Sequence, residues 1–459
     1  MIQQHIISRL THMVGEQNVL TSPRALEVYA YDSSPFIHLP DAVVFAENRE
    51  QVTAVVKLAA EHSVPLVPRG AGTCLSGSAV PWHGGISLVL TKMNRILDID
   101  PVAGTALVEP GVVNLDLQIA VEPYGLMFPP DPASQRAATI GGNIAQCAGG
   151  IRGVKFGVMK HHVLGLEVVL PDGEVITTGM LAPERQFAPD FTGIFHGSEG
   201  TFGVITKALL RLTPLPEKTM TASAAFTSLD EAGQAVSTII AQGIVPTTLE
   251  ILDNTLIKAV DDFLQLGLPR DAEALLLVEV DGFAVELDRQ MDTIKKVFAA
   301  NNARDFKMAA SEEERQKLWL ARRSGNGALG RIKPAYMVQD VTVPVHKLPE
   351  MLRFVAQVAE KYNIVIAQMA HAGDGNLHPH LLYNPDDPEE YRRVEEASRE
   401  IFMKTLELEG TLTGEHGIGL EKLPYMYYAF SPEDLEFMAI VKKALDPTLY
   451  FNRGKVLDL

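Results

Sequence analysis

The chain is 459 residues long, with 46% hydrophobic and 21% charged residues and a formal net charge of −17 at pH 7. Length alone predicts about three domains and a large buried core, and the composition excludes disorder as a description of the whole. The acidity excludes a general nucleic-acid or anionic-membrane binder but allows a small anion held by local Arg, Lys or His.

Cys74 and Cys147 are the two cysteines, so neither a disulfide framework nor a Cys-ligated iron–sulfur cluster fits within this chain. No apolar run approaches the ~18 residues of a transmembrane helix, and residues 1–10 lack the pattern of a secretory signal. A soluble, cytoplasmic protein is expected, able to dock at the membrane through a partner.

In chain order, residues 2–13 have the pattern of an amphipathic helix. The stretch DAVVFAENREQVTAVVKLAAEHSVPLVPRG reads as a strand (42–46), a helix (49–62), a strand (65–67) and a glycine loop. This is one βαβ unit with its loop at a strand's carboxyl end, where open sheets bind ligands. From residue 86 the pattern changes to short apolar stretches bounded by turns: ISLVL, RILDID, TALVEP, LGLEVVL and EVITTG. Asp172-Gly173 marks a hairpin, and 204–212 is a further strand. Thr213-Pro-Leu-Pro-Glu217 punctuates the chain and predicts a domain boundary near 217. Beyond it TASAAF, TTLEIL, ALLLVEV, MVQDVTVP and NIVIAQMA are expected strands. Helical periodicity covers 230–242, 284–300, 311–332, 348–362 and 388–409. The expectation is an α+β domain with helices on one side of a sheet. A last helix at 432–445 precedes an irregular end.

Three glycine-rich stretches lie in the first half. The first is Pro68-Arg-Gly-Ala-Gly-Thr-Cys-Leu-Ser-Gly77. The second is Pro129-Pro-Asp-Pro-Ala-Ser134 with Ala138-Thr-Ile-Gly-Gly-Asn143 and Ala148-Gly-Gly150. The third is His196-Gly-Ser-Glu-Gly-Thr-Phe-Gly-Val-Ile-Thr206. Glycine lets successive backbone amides form an anion-holding nest suited to a pyrophosphate. One such loop is more often a plain turn; three, one of them after a βαβ unit, point to a cofactor. None is a Walker loop, and none is a Rossmann fingerprint between strand and helix. Gly414-Glu-His-Gly-Ile-Gly419 has no βαβ surroundings either. A dinucleotide held in a non-Rossmann manner follows.

The PRGAGT, PPDPAS…ATIGGN and HGSEGTFGVIT stretches resemble the FAD-binding half of the vanillyl-alcohol-oxidase (PCMH-type) flavoproteins. Over about 40–455 the chain is similar to the family of glycolate oxidase D subunits, D-lactate dehydrogenases and D-2-hydroxyglutarate dehydrogenases. The resemblance implies an α+β fold: a two-subdomain FAD-binding domain (1–217), a cap domain with an antiparallel sheet (218–410), and a C-terminal segment (411–459) returning to the flavin. It implies that Pro68, Arg69, Gly70, Ala71, Gly72, Thr73, Gly77 and Ser78 wrap the pyrophosphate. Pro130, Asp131, Ser134, Thr139, Gly142 and Asn143 would line the flavin side, and Gly200, Gly203 and Ile205 the adenosine end. Covalent members of the superfamily attach FAD through a His in the first loop; Thr73 follows Ala71-Gly72 here, so the FAD is expected to be non-covalent. Cys74 and Cys147 read as small packing residues. Asn452, in Phe451-Asn-Arg-Gly-Lys455, resembles the family's closing Asn-Pro-Gly-Lys, with Arg453 in place of Pro, and is expected near the ring; an ordinary turn is the rival reading.

His371-Ala-Gly-Asp-Gly-Asn-Leu-His378 places two imidazoles around a glycine turn, and Glu415 follows in Thr413-Gly-Glu-His-Gly-Ile-Gly419. Two His and a carboxylate suit a divalent ion with open positions: zinc first, manganese or iron as alternatives. The bland reading is turn-capping histidines. The resemblance implies that His371, His378 and Glu415 are metal ligands, His416 the active-site base, and Arg322 the substrate-carboxylate arginine. Such an enzyme needs a base for the hydroxyl proton, a Lewis acid for the alkoxide and a hydride acceptor. Arg offers a fork suited to a carboxylate; Lys333 is a second candidate. His380 stands where hydroxyglutarate-type members carry Asn, and Val338 stands near their missing Lys. Both argue for a smaller substrate, D-lactate or glycolate.

The expected activity is FAD-dependent, metal-assisted oxidation of a small anionic D-2-hydroxy acid. Electrons would leave to an electron-transfer flavoprotein, an iron–sulfur partner subunit, a quinone-linked protein or O₂, and a homodimer is compatible with the sequence. D-2-hydroxyglutarate oxidation is the alternative within the family. A flavin-dependent transferase of the alkylglycerone-phosphate-synthase type would need a consecutive His cluster, and His161-His162 is only a pair. A non-catalytic flavoprotein subunit would lack the His–His–Glu set.

Overall fold

The computed structural model describes residues 2–182 and 189–459. The chain divides into two compact units: Met1–Gly149, Val158–Leu215 and Glu415–Leu459 form the first, and Gly150–Gly157 and Pro216–Gly414 the second.

The first unit holds two main sheets. One orders Val19–Leu20, Ala42–Phe45, Ile86–Val89 and Leu66–Arg69. Ile86–Val89 pairs in parallel with both Ala42–Phe45 and Leu66–Arg69. It therefore completes the βαβ layer rather than opening the next pattern, as its place in the sequence suggested. The helix Arg49–Glu61 starts at Asn48, whose side chain accepts from Gln51 N at 2.9 Å, a standard N-cap. Its Val52, Val55 and Val56 share a core with Leu10 of Gln4–Val14 and with Leu66 and Leu88. The other sheet is antiparallel, in the order Ile96–Asp100, Thr105–Val108, Val204–Arg211, Val163–Val169, Val175–Thr177. Gly173 turns the last hairpin at φ +81°.

The C-terminal segment is stitched onto the first sheet. Leu66 N donates to Tyr450 O at 3.0 Å, and Asn452 N to Leu66 O at 2.8 Å. In the preceding helix, Pro432–Leu445, Lys442 Nζ donates to Thr201 O at 2.7 Å and to Phe451 O at 3.0 Å.

The second unit is built on an eight-stranded antiparallel sheet. Its order is Arg304–Met308, Lys218–Phe226, Ala274–Gly282, Thr248–Asp253, Val365–His371, Asn376–Tyr383, Ala335–Val338, with Val341–Thr342 also pairing Asn376–Tyr383. Helices cover both faces, which corrects the expected one-sided cover. Leu252, Leu277, Ala367 and Met369 pack with residues of Asn254–Leu264, Glu312–Arg323 and Gly325–Leu329. On the opposite face Phe226 meets Phe298 of Ala284–Ala300 edge-on at 5.6 Å, and Gln368 Nε2 donates to Leu352 O of Leu348–Tyr362. The reason lies in the strands: Ala274–Val280 is buried at every position, so both faces need a covering layer.

The strands Arg304–Met308 and Asn376–Tyr383 and the helix Asn254–Leu264 were not expected, nor, in the first unit, were the helices Asn114–Val121 and Ile140–Gln146. The expected helix at 311–332 is two, Glu312–Arg323 and Gly325–Leu329.

Candidate active site

The first glycine loop leaves Leu66–Arg69 at its carboxyl end. Among the described residues, none accepts a hydrogen bond from the backbone N–H of any residue from Gly70 through Ser78. Such a run of backbone N–H groups in a glycine loop could hold an anion. Gly70 lies close to the second stretch: a Cβ there would sit 2.3 Å from Thr139 Oγ1. Arg69 donates to Tyr31 O at 2.8 Å and Ala79 O at 3.2 Å, so it fastens the loop from behind. Cys74 Sγ donates to Asp32 Oδ2 at 3.0 Å, and burial pushes its thiol well up.

The second stretch is locked by side-chain amides. Asn143 Nδ2 donates to Asn114 Oδ1 at 3.0 Å, and Asn114 Nδ2 to Pro130 O at 3.0 Å. Thr139 caps the helix Ile140–Gln146. Asp131 is buried, and Ser134 O accepts from Ala137 N and Ala138 N in the same loop. In the third stretch Gly200 has φ +71° and lies against Pro68 of the first, while Ile205 joins the antiparallel core.

Glu199 is the knot between these loops. It is fully buried and in the left-handed region at φ +52°. It accepts from Ser78 Oγ at 2.5 Å, Ile418 N at 2.7 Å and Gly419 N at 2.9 Å. Burial raises its carboxyl, with these donors pulling the other way. Asn452 adds a second tie, donating to Ser78 O at 2.9 Å and Glu199 O at 2.6 Å. Within this unit Glu415 Oε2 accepts from Gly149 N at 3.2 Å and His416 O from Ser76 Oγ at 2.9 Å.

In the second unit a polar row crosses one face of the sheet. Cross-strand partners share a face; Glu250 pairs with His371, His371 with Asn376, and Asn376 with Thr342. One step along, Met369 pairs with His378, and beyond it Ala367 with His380. His371 Nδ1 lies 2.7 Å from Glu250 Oε1, and Arg322 Nε 2.5 Å from Glu250 Oε2. Glu250 is fully buried; burial pushes its carboxyl up, but Arg322 and His371 outweigh this and hold it below its ordinary range. His378 Nδ1 lies 3.3 Å from Gln339 O. The two imidazoles pack edge-to-face at 5.0 Å. Each Nδ1 has an oxygen neighbour, so the Nε2 atoms of the two rings could hold a divalent metal.

His380 is buried, with Nδ1 2.7 Å from His378 O and Nε2 3.0 Å from Asn326 Oδ1. Lys333 is not brought to this row. Its ammonium pairs with Glu390, which also holds Asn384 N, just past the far end of the strand bearing His378. Asp340, fully buried, accepts from Thr413 Oγ1 at 2.5 Å and Gly414 N at 3.0 Å.

Sequence reasoning missed Glu250, Glu199 and Asn114, and gave Asp340 no role. Glu250 did carry a signal, as a lone charge in the apolar run TTLEIL. Glu199 sat inside a glycine motif and Asn114 in an unremarked helix start.

Residues 215–456 match the family of FAD linked oxidases, C-terminal domain, and residues 40–179 match the FAD binding domain. The chain belongs to the FAD-linked oxidases. It is an FAD-dependent oxidoreductase, as the resemblance implied, with the first and second loops inside the matched FAD binding domain. The glycolate oxidase subunit GlcD of Bacillus subtilis is 42% identical over 99% of this chain and 97% of its own. That of Escherichia coli K12 is 39% identical over 97% and 89%. D-lactate dehydrogenase [cytochrome] of Arabidopsis thaliana is 31% identical over 99% and 80%. Among solved structures, p-cresol methylhydroxylase superposes with a TM-score of 0.84 at 20% identity over 99% of this chain and 97% of its own. Alkyldihydroxyacetonephosphate synthase gives 0.77 at 18% over 99% and 85%. These two show the shared PCMH-type fold and nothing of activity. No described helix is long and apolar enough to cross a membrane.

Proposed function

We propose that this FAD-linked oxidase converts a small D-2-hydroxy acid, D-lactate or glycolate, to the 2-oxo acid. The observation that carries the reading is the buried Arg322–Glu250–His371 chain, which sets a carboxylate-binding cation beside a metal-ligating imidazole. Relatives named glycolate oxidase and D-lactate dehydrogenase support a small acid over D-2-hydroxyglutarate.

FAD, held non-covalently by the three loops, supplies the hydride acceptor when bound. His371, His378 and Glu415 would hold a divalent ion, zinc in the first place, which would supply Lewis acidity. Arg322 spends Nε on Glu250, so its two terminal nitrogens form the fork for the substrate carboxylate. His416 takes the hydroxyl proton on an imidazole nitrogen. Its carbonyl accepts from Ser76 Oγ. His380, with both ring nitrogens engaged, shapes the substrate's surroundings rather than moving a proton. Lys333 takes no part. Electrons leave to an external redox protein, and the chain works in the cytoplasm or peripherally at a membrane through that partner.

Anaerobic stopped-flow on two variants tests the roles. His378→Ala should keep FAD but lose bound metal and most flavin reduction. His416→Ala should keep FAD and metal yet reduce flavin roughly 10²–10⁴-fold more slowly, the usual scale for a general base. A near-normal rate in His416→Ala would remove His416 as the base.

A further inference from the structure

We infer that Glu250 is a positioning residue that couples the arginine meeting the substrate carboxylate to the histidine ligating the metal; this rests on the site reading above. Two independent elements fix its contacts. The strand register sets Glu250 beside His371 as cross-strand partners. The helix Glu312–Arg323 delivers Arg322, and that helix is pinned further along by Arg315 and Trp319, which both donate to Glu279 at 2.8 Å. Arg315, Trp319 and Arg322 stand at i, i+4 and i+7, one face of one helix.

A carboxylate only accepts. Glu250 therefore fixes the proton of His371 on Nδ1 and turns Nε2 outward, and it also fixes the roll of the guanidinium plane through Nε. One fully buried carboxylate, with an oxygen for each partner, thus sets the distance between the two groups that would grip the two ends of a 2-hydroxy acid. An amide at this position can accept from one partner only and presents a donor to the other.

Glu279 provides the matched control. It is a buried carboxylate on the neighbouring strand, bound to an arginine of the same helix, and its contacts are Arg315, Trp319 and Thr221. A merely structural role for Glu250 predicts that Glu250→Gln and Glu279→Gln behave alike.

The experiment strips metal from the FAD-loaded protein and measures Zn²⁺ affinity by chelator competition, then KM and kcat for D-lactate after reloading. Glu250→Gln should weaken Zn²⁺ binding by about 10–100-fold, the scale for a lost partner of a ligand. It should raise KM by about 10-fold or more, the scale of one lost charge-assisted hydrogen bond. FAD content should hold. Glu279→Gln should lower thermal stability and leave Zn²⁺ affinity unchanged. If Glu250→Gln fails to fold, Glu250→Asp keeps the buried charge but falls short of spanning both partners, and should shift at least one readout. Unchanged Zn²⁺ affinity and KM in the folded Glu250 variant, or equal shifts in Glu279→Gln, overturn the inference. Loss of Zn²⁺ in His378→Ala but not in Glu250→Gln overturns the coupling alone; full retention in both overturns the metal reading and the coupling with it.

Discussion

Gly414 N donates to Asp340 Oδ2 at 3.0 Å, one peptide bond before Glu415. The preceding residue, Gln339, offers its carbonyl to His378 Nδ1. A two-residue segment therefore orients one proposed metal ligand and fixes the chain entering the stretch that carries another. Asp340→Ala should keep the FAD spectrum and lower kcat/KM by about 10–100-fold, the usual cost of losing an outer-shell partner. A dye-linked assay on the FAD-normalised variant checks it.

Asn452 ties the first and third loops and also accepts from Lys455 Nζ at 2.7 Å. Asn452→Ala leaves two buried carbonyls and a lysine each short of a partner. A cost of about 2–4 kcal/mol in stability is expected from such unmade bonds, together with partial loss of FAD on gel filtration. Full FAD retention with an unchanged melting temperature would show that the tail does not support the cradle.

His196, at the head of the third loop, has its imidazole pushed down to about 4, chiefly by burial, with Lys160 adding to the effect. The folded state then refuses a proton that the unfolded chain accepts near its ordinary value of about 6.5. Its contribution to stability is present above that value and is lost as pH falls toward 4. His196→Gln should flatten the fall in chemical stability between about pH 6.5 and 4, measured by urea titration at several pH values. An unaltered slope would contradict this.

Acid precipitation should release all flavin as FAD. Cys74 has its thiol raised by burial and bonded to Asp32, and Cys147 is raised chiefly by burial, so neither offers the thiolate that linkage to a flavin needs. Yellow colour left in the pellet would refute the non-covalent claim.

The sequence made the three glycine loops legible because glycine runs and a βαβ unit are local signals. The imidazoles of His371 and His378 were visible for the same reason. The strand Asn376–Tyr383 was not, because Pro379 and two histidines break the apolar alternation that marks a strand; its place is set by pairing with Val365–His371 on one side and Ala335–Val338 on the other. Glu250 and Glu199 act through partners more than 70 residues away, contacts that only the tertiary fold creates. Lys333 looked available for a substrate because its partner Glu390 lies 57 residues further along the chain.

The most direct test mixes the oxidised, metal-loaded protein anaerobically with D-lactate, glycolate, D-2-hydroxyglutarate and L-lactate in turn, and follows the flavin absorbance. Rapid bleaching by D-lactate or glycolate, slow bleaching by D-2-hydroxyglutarate and none by L-lactate is the predicted result. Flavin that stays oxidised with every 2-hydroxy acid, in protein shown to hold FAD and metal, would contradict the account.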